Sequence, residues 1–278
     1  MLHQSHFQRT MISLSAIVAL LSATLQVNAF TILPARTLPV SSARTFTMAA
    51  STAAGTEVSN KKVPPIPSNT GSNNDDTLIN LANEFTYTSS GFYSAADESF
   101  LSDEFVFRGP YVGPLNKKDY LTTLETFQIY KGFPDISPNA FGFSVDPKDS
   151  NRVWFIVRNT GTFTGQIGLG LGQFISGNGE VLEGCPETFS ITFDENQKVK
   201  LLTVGYVADR FQGNTKGKGA AVGIFNVIGL PVPSPGPLYS FITWFTGNIL
   251  NSPAKSCSAR GDVPKWWPNE ERGTDGYS

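Results

Sequence analysis

Two consecutive strand-like runs constrain this chain more than any other stretch. Cys185 to Asp194 alternates strictly, with Phe189, Ile191 and Phe193 on one face and Thr188, Ser190 and Thr192 on the other, the pattern of a half-buried strand. Lys198 to Arg210 is dominated by Val, Leu, Thr and Tyr, residues that suit a pleated, partly covered surface. Between them Glu195, Asn196 and Gln197 are polar turn material, so the two runs read as a hairpin. Centred on Asn196, it places Phe193 opposite Val199, Ile191 opposite Leu201, Phe189 opposite Thr203, Glu187 opposite Gly205 and Glu183 opposite Asp209. The apolar face then carries carboxylates at its open end.

Upstream elements supply the rest of an α+β domain. Asp75 or Asp76 caps a helix through Leu78, Leu81, Ala82 and Phe85, a second helical piece covers Phe92 to Leu101, and Phe105 to Phe107 forms a short strand. Lys117 to Phe127 places Tyr120, Leu121, Leu124 and Phe127 on one helical face. Phe141 to Val145 and Arg152 to Phe163 are strands joined by the turn D-P-K-D-S-N. In the second, Val153, Phe155 and Val157 oppose Trp154, Ile156 and Arg158. Both faces are largely apolar, which places the strand centrally and puts Arg158 inside or at the rim of a core, where a guanidinium needs a carboxylate. The glycine-rich run Gly165 to Gly179 lacks Gly-Lys-Ser or Gly-Lys-Thr and reads as a mobile loop at a pocket mouth rather than a phosphate cradle.

Charge and the chemistry-bearing residues exclude several functions. Net charge is -2 and Glu57 is the only acid before Asp75, so without its leader the domain is moderately acidic. No basic stripe exists to neutralise phosphates, and nucleic acid is not an expected partner. Both histidines, His3 and His6, lie at the extreme N-terminus, leaving the domain without a His-based triad, His-ligated metal or His base. No metal site and no cofactor is expected. Cys185 and Cys257 read as two unpaired thiols, with a single bridge as the alternative.

Residues 1–29 read as a secretory signal peptide: Arg9, an apolar stretch from Met11 to Leu25, then V-N-A. Phe30 and a Ser, Thr, Ala and Arg-rich segment to residue 50 follow, a transit-peptide composition. The N-A-F junction resembles the bipartite plastid leader of algae with complex plastids, which implies plastid localisation; secretion is the alternative. Residues 51–74 read as a disordered linker and 75–210 as the folded domain. Residues 211–278 form an apolar Gly/Pro-rich extension, without a charged residue from Gly219 to Ala254. Neither of its apolar runs is long enough to span a bilayer. It reads as a lid or sheet cover, with peripheral membrane contact through Phe241, Trp244 and Phe245 as the alternative.

The element order, F-V-F-R-G-P-Y-V-G-P-L before a helix, V-W-F-I-V-R-N-T-G-T-F-T-G on a strand and F-D-E-N-Q-K-V-K-L-L-T-V-G-Y-V-A-D-R as a hairpin together resemble the nuclear transport factor 2-like superfamily, nearest its SnoaL-like polyketide-cyclase branch. The resemblance spans about Asp75 to Arg210. It implies a cone-shaped, cystatin-like curved antiparallel sheet wrapped by N-terminal helices around an apolar cavity that holds a small apolar ligand, and it admits a homodimer. In cyclases and isomerases of this fold a cavity carboxylate removes a proton next to a carbonyl, and Asp209 matches the acid that often closes the last strand. Arg108-Gly109-Pro110 stands where ketosteroid isomerases carry an acid. The histidines of scytalone-dehydratase-like and iota carbonic anhydrase sites are missing.

Asp209, Glu187 and Arg158 are therefore the candidate base, acid and charge partner, since apolar walls raise a carboxyl pKa and a nearby arginine lowers it. The alternative for each is a structural ion pair at the rim. Tyr206, Phe189, Trp154, Arg108 and Tyr111 are the candidate ligand contacts, Tyr206 only if a bulge turns it inward. Two functions stay open: a small-molecule isomerase, cyclase or dehydratase, and a non-enzymatic lipid- or pigment-binding or assembly protein.

Overall fold

The structure is a computed structural model that describes residues 63–65, 73–170 and 172–267. The signal peptide, the transit-like segment and most of the linker lie outside the described residues. Helix α1 (Asn73–Thr88) starts slightly earlier than the sequence suggests and buries Leu78, Ile79, Ala82 and Phe85. No helix follows over residues 92–97; a 3-10 turn (Glu98–Phe100) capped by Asp97 leads directly into β1 (Leu101–Arg108). Strand β2 (Leu115–Asn116) precedes α2 (Lys117–Phe127), whose N-cap Asn116 accepts from the Asp119 amide at 2.8 Å. A short α3 (Ile129–Gly132) completes the helical half.

Strands β3 (Phe141–Asp146), β4 (Asp149–Val157), β9 (Glu187–Phe193) and β10 (Val199–Val207) join β1 and β2 in one six-stranded sheet, ordered β2-β1-β10-β9-β4-β3. Expected as antiparallel, the sheet is mixed: β1 and β10 run parallel. These two strands are far apart in sequence, so no tight turn dictates their relative direction. The α+β class stands, with α1 packed on β3 and β4, α2 on β1, and the main core between the helices and one sheet face.

The β9–β10 hairpin forms with Phe193 opposite Val199, then departs from the simple register. Leu202 faces Ile191, Thr203 faces Ser190, and Val207 faces Glu187, with irregularities between Val199 and Leu201 and between Thr203 and Tyr206. Each extra residue in β10 turns the following side chains to the other face. Val199, Leu202 and Val204 enter the main core, whereas Leu201 joins a second cluster on the outer side with Val106, Val263 and Trp267. Gly205, at φ +81, occupies the second irregularity, where a left-handed backbone suits glycine.

Strand β4 is covered on one side only. Val153, Phe155 and Val157 are buried, while Trp154 lies partly exposed under the Arg152 guanidinium, 4.0 Å from its ring centre, and donates to Asp146 Oδ2 at 2.7 Å. The strand ends at Val157; Thr160–Thr162 forms β5, which pairs with β8 (Val181–Glu183). The glycine-rich run, expected as a mobile loop, builds a β-hairpin from β6 (Gln166–Gly168) and β7 (Phe174–Ser176). Its Gly165 and Gly168 lie against the Lys131 and Thr126 carbonyls, where a Cβ would not fit.

The C-terminal extension, as far as Trp267, folds back onto the same body, and the described residues belong to one compact unit. Helix α4 (Ala220–Val227) buries Val222 and Ile224, the latter in the main core; α5 (Pro237–Asn248) has no buried residue. The chain then returns past β2, where Ser258 bridges the Asn116 amide and Asp119 Oδ2, and ends with Trp267 over the outer sheet face. Cys185 and Cys257 are not joined by a disulfide.

Candidate functional site

The inner sheet face and the helices enclose a cavity of about 120 Å³. Its walls come from α1, the segment after it, β1, α2, β9, β10 and the start of α4: Phe85, Phe92, Tyr93, Phe107, Tyr120, Phe127 and Phe189 supply rings, and Leu115, Leu124, Leu202, Val204 and Val222 the aliphatic surface. These are the inward positions of amphipathic elements whose outer faces are polar. Three hydroxyls at this wall are already paired: the Tyr120 hydroxyl donates to the Ser90 carbonyl at 2.6 Å, Ser90 Oγ to the Thr86 carbonyl at 3.0 Å, and Thr86 Oγ1 to the Ala82 carbonyl at 2.7 Å. An occupant is therefore selected by shape and apolar contact.

One carboxyl lies buried beside this wall. Glu187, at the start of β9, is 1 % exposed. Its Oε2 accepts from the Ala220 amide at 2.8 Å, and its carboxylate is also hydrogen-bonded by the Asn159 side chain. Asn159 Oδ1 in turn accepts from the Tyr93 hydroxyl at 2.6 Å. Burial pushes the Glu187 carboxyl up to about 7, with the Ala220 and Asn159 bonds opposing that rise. Burial, and next the Glu187 charge, raise the Tyr93 phenol well above its ordinary value.

Local sequence explains how Ala220 reaches the carboxylate. Gly219 lies directly on the Gly205 carbonyl, a contact that leaves no room for a Cβ. The start of α4 therefore settles onto the β10 irregularity, and Ala220, at φ +48, is held in the left-handed region with its amide on Glu187. Gly219 and Ala220 also line the cavity, so Glu187 stands one residue behind its wall.

Among the sequence candidates, Phe189 and Tyr111 line the cavity. Glu187 is buried next to it. Asp209 follows the end of β10, partly exposed, and folds into its own turn, accepting from the Phe211 amide at 3.0 Å and Gln212 Nε2 at 2.7 Å; these bonds hold its carboxyl below the usual range. Arg158, expected in or at the rim of a core, is exposed because β4 stops one residue earlier, and it donates to Gln212 Oε1 at 2.7 Å. No described ion pair joins it to Asp209 or Glu187. Glu183 lies opposite Thr160 in the β5–β8 pair, not opposite Asp209. Tyr206 is 44 % exposed, since the irregularity at Gly205 turns it outward. Trp154 sits on the outer face, and Arg108 donates to the Gly113 carbonyl at 2.6 Å. Sequence reasoning missed Tyr93, Asn159 and Ala220, which no local pattern ties to Glu187.

The cavity borders a wider cleft of about 690 Å³ beneath α5. Val112, Thr123, Phe127, Ala221 and Val222 belong to both. The Tyr239 hydroxyl of α5 donates to the Tyr111 carbonyl at 2.6 Å, and the Lys255 amide donates to Thr123 Oγ1 at 3.0 Å. The extension thus frames the cavity mouth.

No family model and no curated protein matches the chain. Similar solved structures include an NTF2-like protein from Anabaena variabilis ATCC 29413 (14% identity, TM-score 0.36, 52% of this chain and 97% of that one). A protein described as SnoaL-like polyketide cyclase from Jannaschia sp. CCS1 is 14% identical, with TM-score 0.35 over 49% of this chain and 90% of that one. A phenazine biosynthesis-related protein from Pseudomonas aeruginosa is 14% identical, with TM-score 0.34 over 62% and 93%. At these values the likeness carries neither residue roles nor activity to this chain.

Proposed function

We propose that this protein binds a small apolar molecule in the cavity between its helices and sheet, as a SnoaL-like domain of the nuclear transport factor 2-like superfamily. The observation that carries this reading is the wall itself: aromatic and aliphatic, with the Thr86, Ser90 and Tyr120 hydroxyls bonded to main-chain carbonyls and the Tyr93 hydroxyl to Asn159. Native mass spectrometry and solvent extraction of the purified protein test it. A co-purifying or added apolar compound of defined stoichiometry supports it; an interior that takes up none refutes it.

Isomerase- or cyclase-type chemistry is a second reading, favoured by one observation, the buried carboxyl of Glu187 with its pKa raised to about 7. A group so tuned exchanges a proton near neutral pH. Reaching an occupant requires the Ala220 main chain to give way. Under this reading Glu187 is the acid–base group, while Asp209 and Arg158 act in a surface turn. Substitution Glu187→Gln then abolishes turnover of the identified ligand and spares its binding; unchanged turnover overturns the reading. Plastid residence belongs to the same proposal through the N-A-F leader. A fluorescent fusion carrying residues 1–50 that is exported instead of entering plastids would sink it.

A further inference from the structure

We infer that α5 is a membrane-docking helix through which the cavity exchanges its apolar occupant with an anionic lipid bilayer, an inference that rests on the small-molecule reading above. Helix α5 carries no charge and has no buried residue, yet it is fixed in place by Tyr239 on Tyr111. Leu238, Phe241 and Trp244 recur at helical spacing and are 61 %, 49 % and 53 % exposed; Ile249 and Leu250 continue the exposed apolar surface past its end. Tyr239, Ile242, Thr243 and Thr246 line the cleft, and Trp244, at the end of the stripe, lies on its edge, whereas Leu238 and Phe241 do not line it. The helix therefore shows one apolar stripe outward while its other side roofs the path to the cavity. No helix among the described residues is long and apolar enough to cross a membrane, so the fitting geometry is a helix lying in the interface, its aromatic residues at headgroup depth.

Charge identifies the partner. From residue 210 to 261 the chain contains no Asp or Glu, and its charged residues are Arg210, Lys216, Lys218, Lys255 and Arg260, all basic. That segment stands out in a chain whose net charge is -2. Two of these bases frame the cleft: Lys255 lines it, and Lys218 Nζ donates to the carbonyl of Val232, another cleft residue. An exposed apolar ridge carried by a segment whose only charges are basic complements an anionic bilayer surface, where each lysine or arginine near the lipid adds attraction. The cavity chemistry gives the same answer, because an apolar occupant partitions into lipid and the cleft bordering the cavity lies under the helix that would rest there.

The test places an environment-sensitive fluorophore on α5 in the full chain, by Phe241→Cys in a Cys257→Ser background, with Asn196→Cys in the β9–β10 turn as control. Vesicles of phosphatidylcholine plus phosphatidylserine should blue-shift the probe at position 241, and a lipid-borne quencher should reach it. The control probe should not respond. Pure phosphatidylcholine vesicles or high salt should weaken apparent affinity by roughly 10-fold or more. In the otherwise wild-type chain, Leu238→Ser with Phe241→Ser, two exposed residues that line neither cavity nor cleft, should slow transfer of a neutral fluorescent apolar probe from vesicles into the protein, while leaving binding of the dissolved probe unchanged. No shift at position 241 with phosphatidylserine vesicles overturns the inference. So does a concentration-dependent shift without lipid, which would assign the ridge to a second copy of the chain. Docking by a protein whose cavity stays empty would instead sink the small-molecule reading.

Discussion

Replacing Glu187 by glutamine isolates the energetic consequence of its burial. The carboxyl is raised from 4.5 to about 7, chiefly by desolvation, which corresponds to a pH-dependent contribution of about 3 kcal/mol. A carboxyl whose folded-state pKa exceeds its unfolded value keeps its proton longer in the folded protein. Its stabilising contribution is therefore complete below about 4.5 and is lost as pH rises through about 7. Glutamine keeps an oxygen for the Ala220 amide and never ionises. Urea denaturation at pH 5 and pH 8 should show the wild type losing on the order of 3 kcal/mol more than Glu187→Gln over that interval. Glu187→Ala should behave differently. It leaves the Ala220 amide and the Asn159 side chain without their partner, costing roughly 1–3 kcal/mol for each unsatisfied group. Parallel stability–pH curves for wild type and Glu187→Gln would refute the assignment of a raised pKa to this carboxyl.

Ala221 belongs to both cavity and cleft, so Ala221→Trp should obstruct the passage and cut the uptake rate of a neutral fluorescent probe by roughly 10-fold, read by stopped-flow fluorescence. Trp267 is 5 % exposed against Val106, Leu201 and Val263; Trp267→Ala should cost roughly 3–5 kcal/mol in chemical denaturation. Asp209→Asn should leave both ligand binding and any turnover unchanged, because the Asp209 carboxylate is occupied by Phe211 and Gln212 in its own turn; loss of turnover in an assay of the identified ligand would return Asp209 to the site.

The fold was legible where periodicity is strong. The α2 boundaries follow from the spacing of Tyr120, Leu124 and Phe127, and the inward face of β9 from Phe189, Ile191 and Phe193. Register beyond the first pair was not, because alternation was extended straight through β10. The doublet Leu201-Leu202 marks the change of face: two adjacent apolar residues both become buried only by serving opposite sides of the sheet. The same assumption placed Glu183 across from Asp209. At the site, Glu187 was legible as an inward carboxylate. Its partners were not, since Tyr93, Asn159 and Ala220 come from three separated segments and meet only through the turn after α1, the end of β4 and the close approach of Gly205 and Gly219.

Those separated segments also explain why the extension is part of the folded body. An inward face that ends in a buried carboxylate needs a hydrogen-bond donor at that point, and the sheet has none to offer because β9 and β10 use their amides in the ladder. Helix α4 supplies the Ala220 amide and, through Ile224 and Ile228 just past its end, the apolar surface that closes the core around it. On the opposite face, Val106 and Leu201 would present apolar surface to water without Val263 and Trp267. The extension thus covers both sides of the β1–β10 pair, first with an uncharged helix that seals the cavity and last with a tryptophan that seals the back. Between these two anchors lies α5, held at the mouth by Tyr239 yet buried nowhere. An element fixed at both ends but without a core of its own keeps its apolar face available, and that is the property the docking role requires.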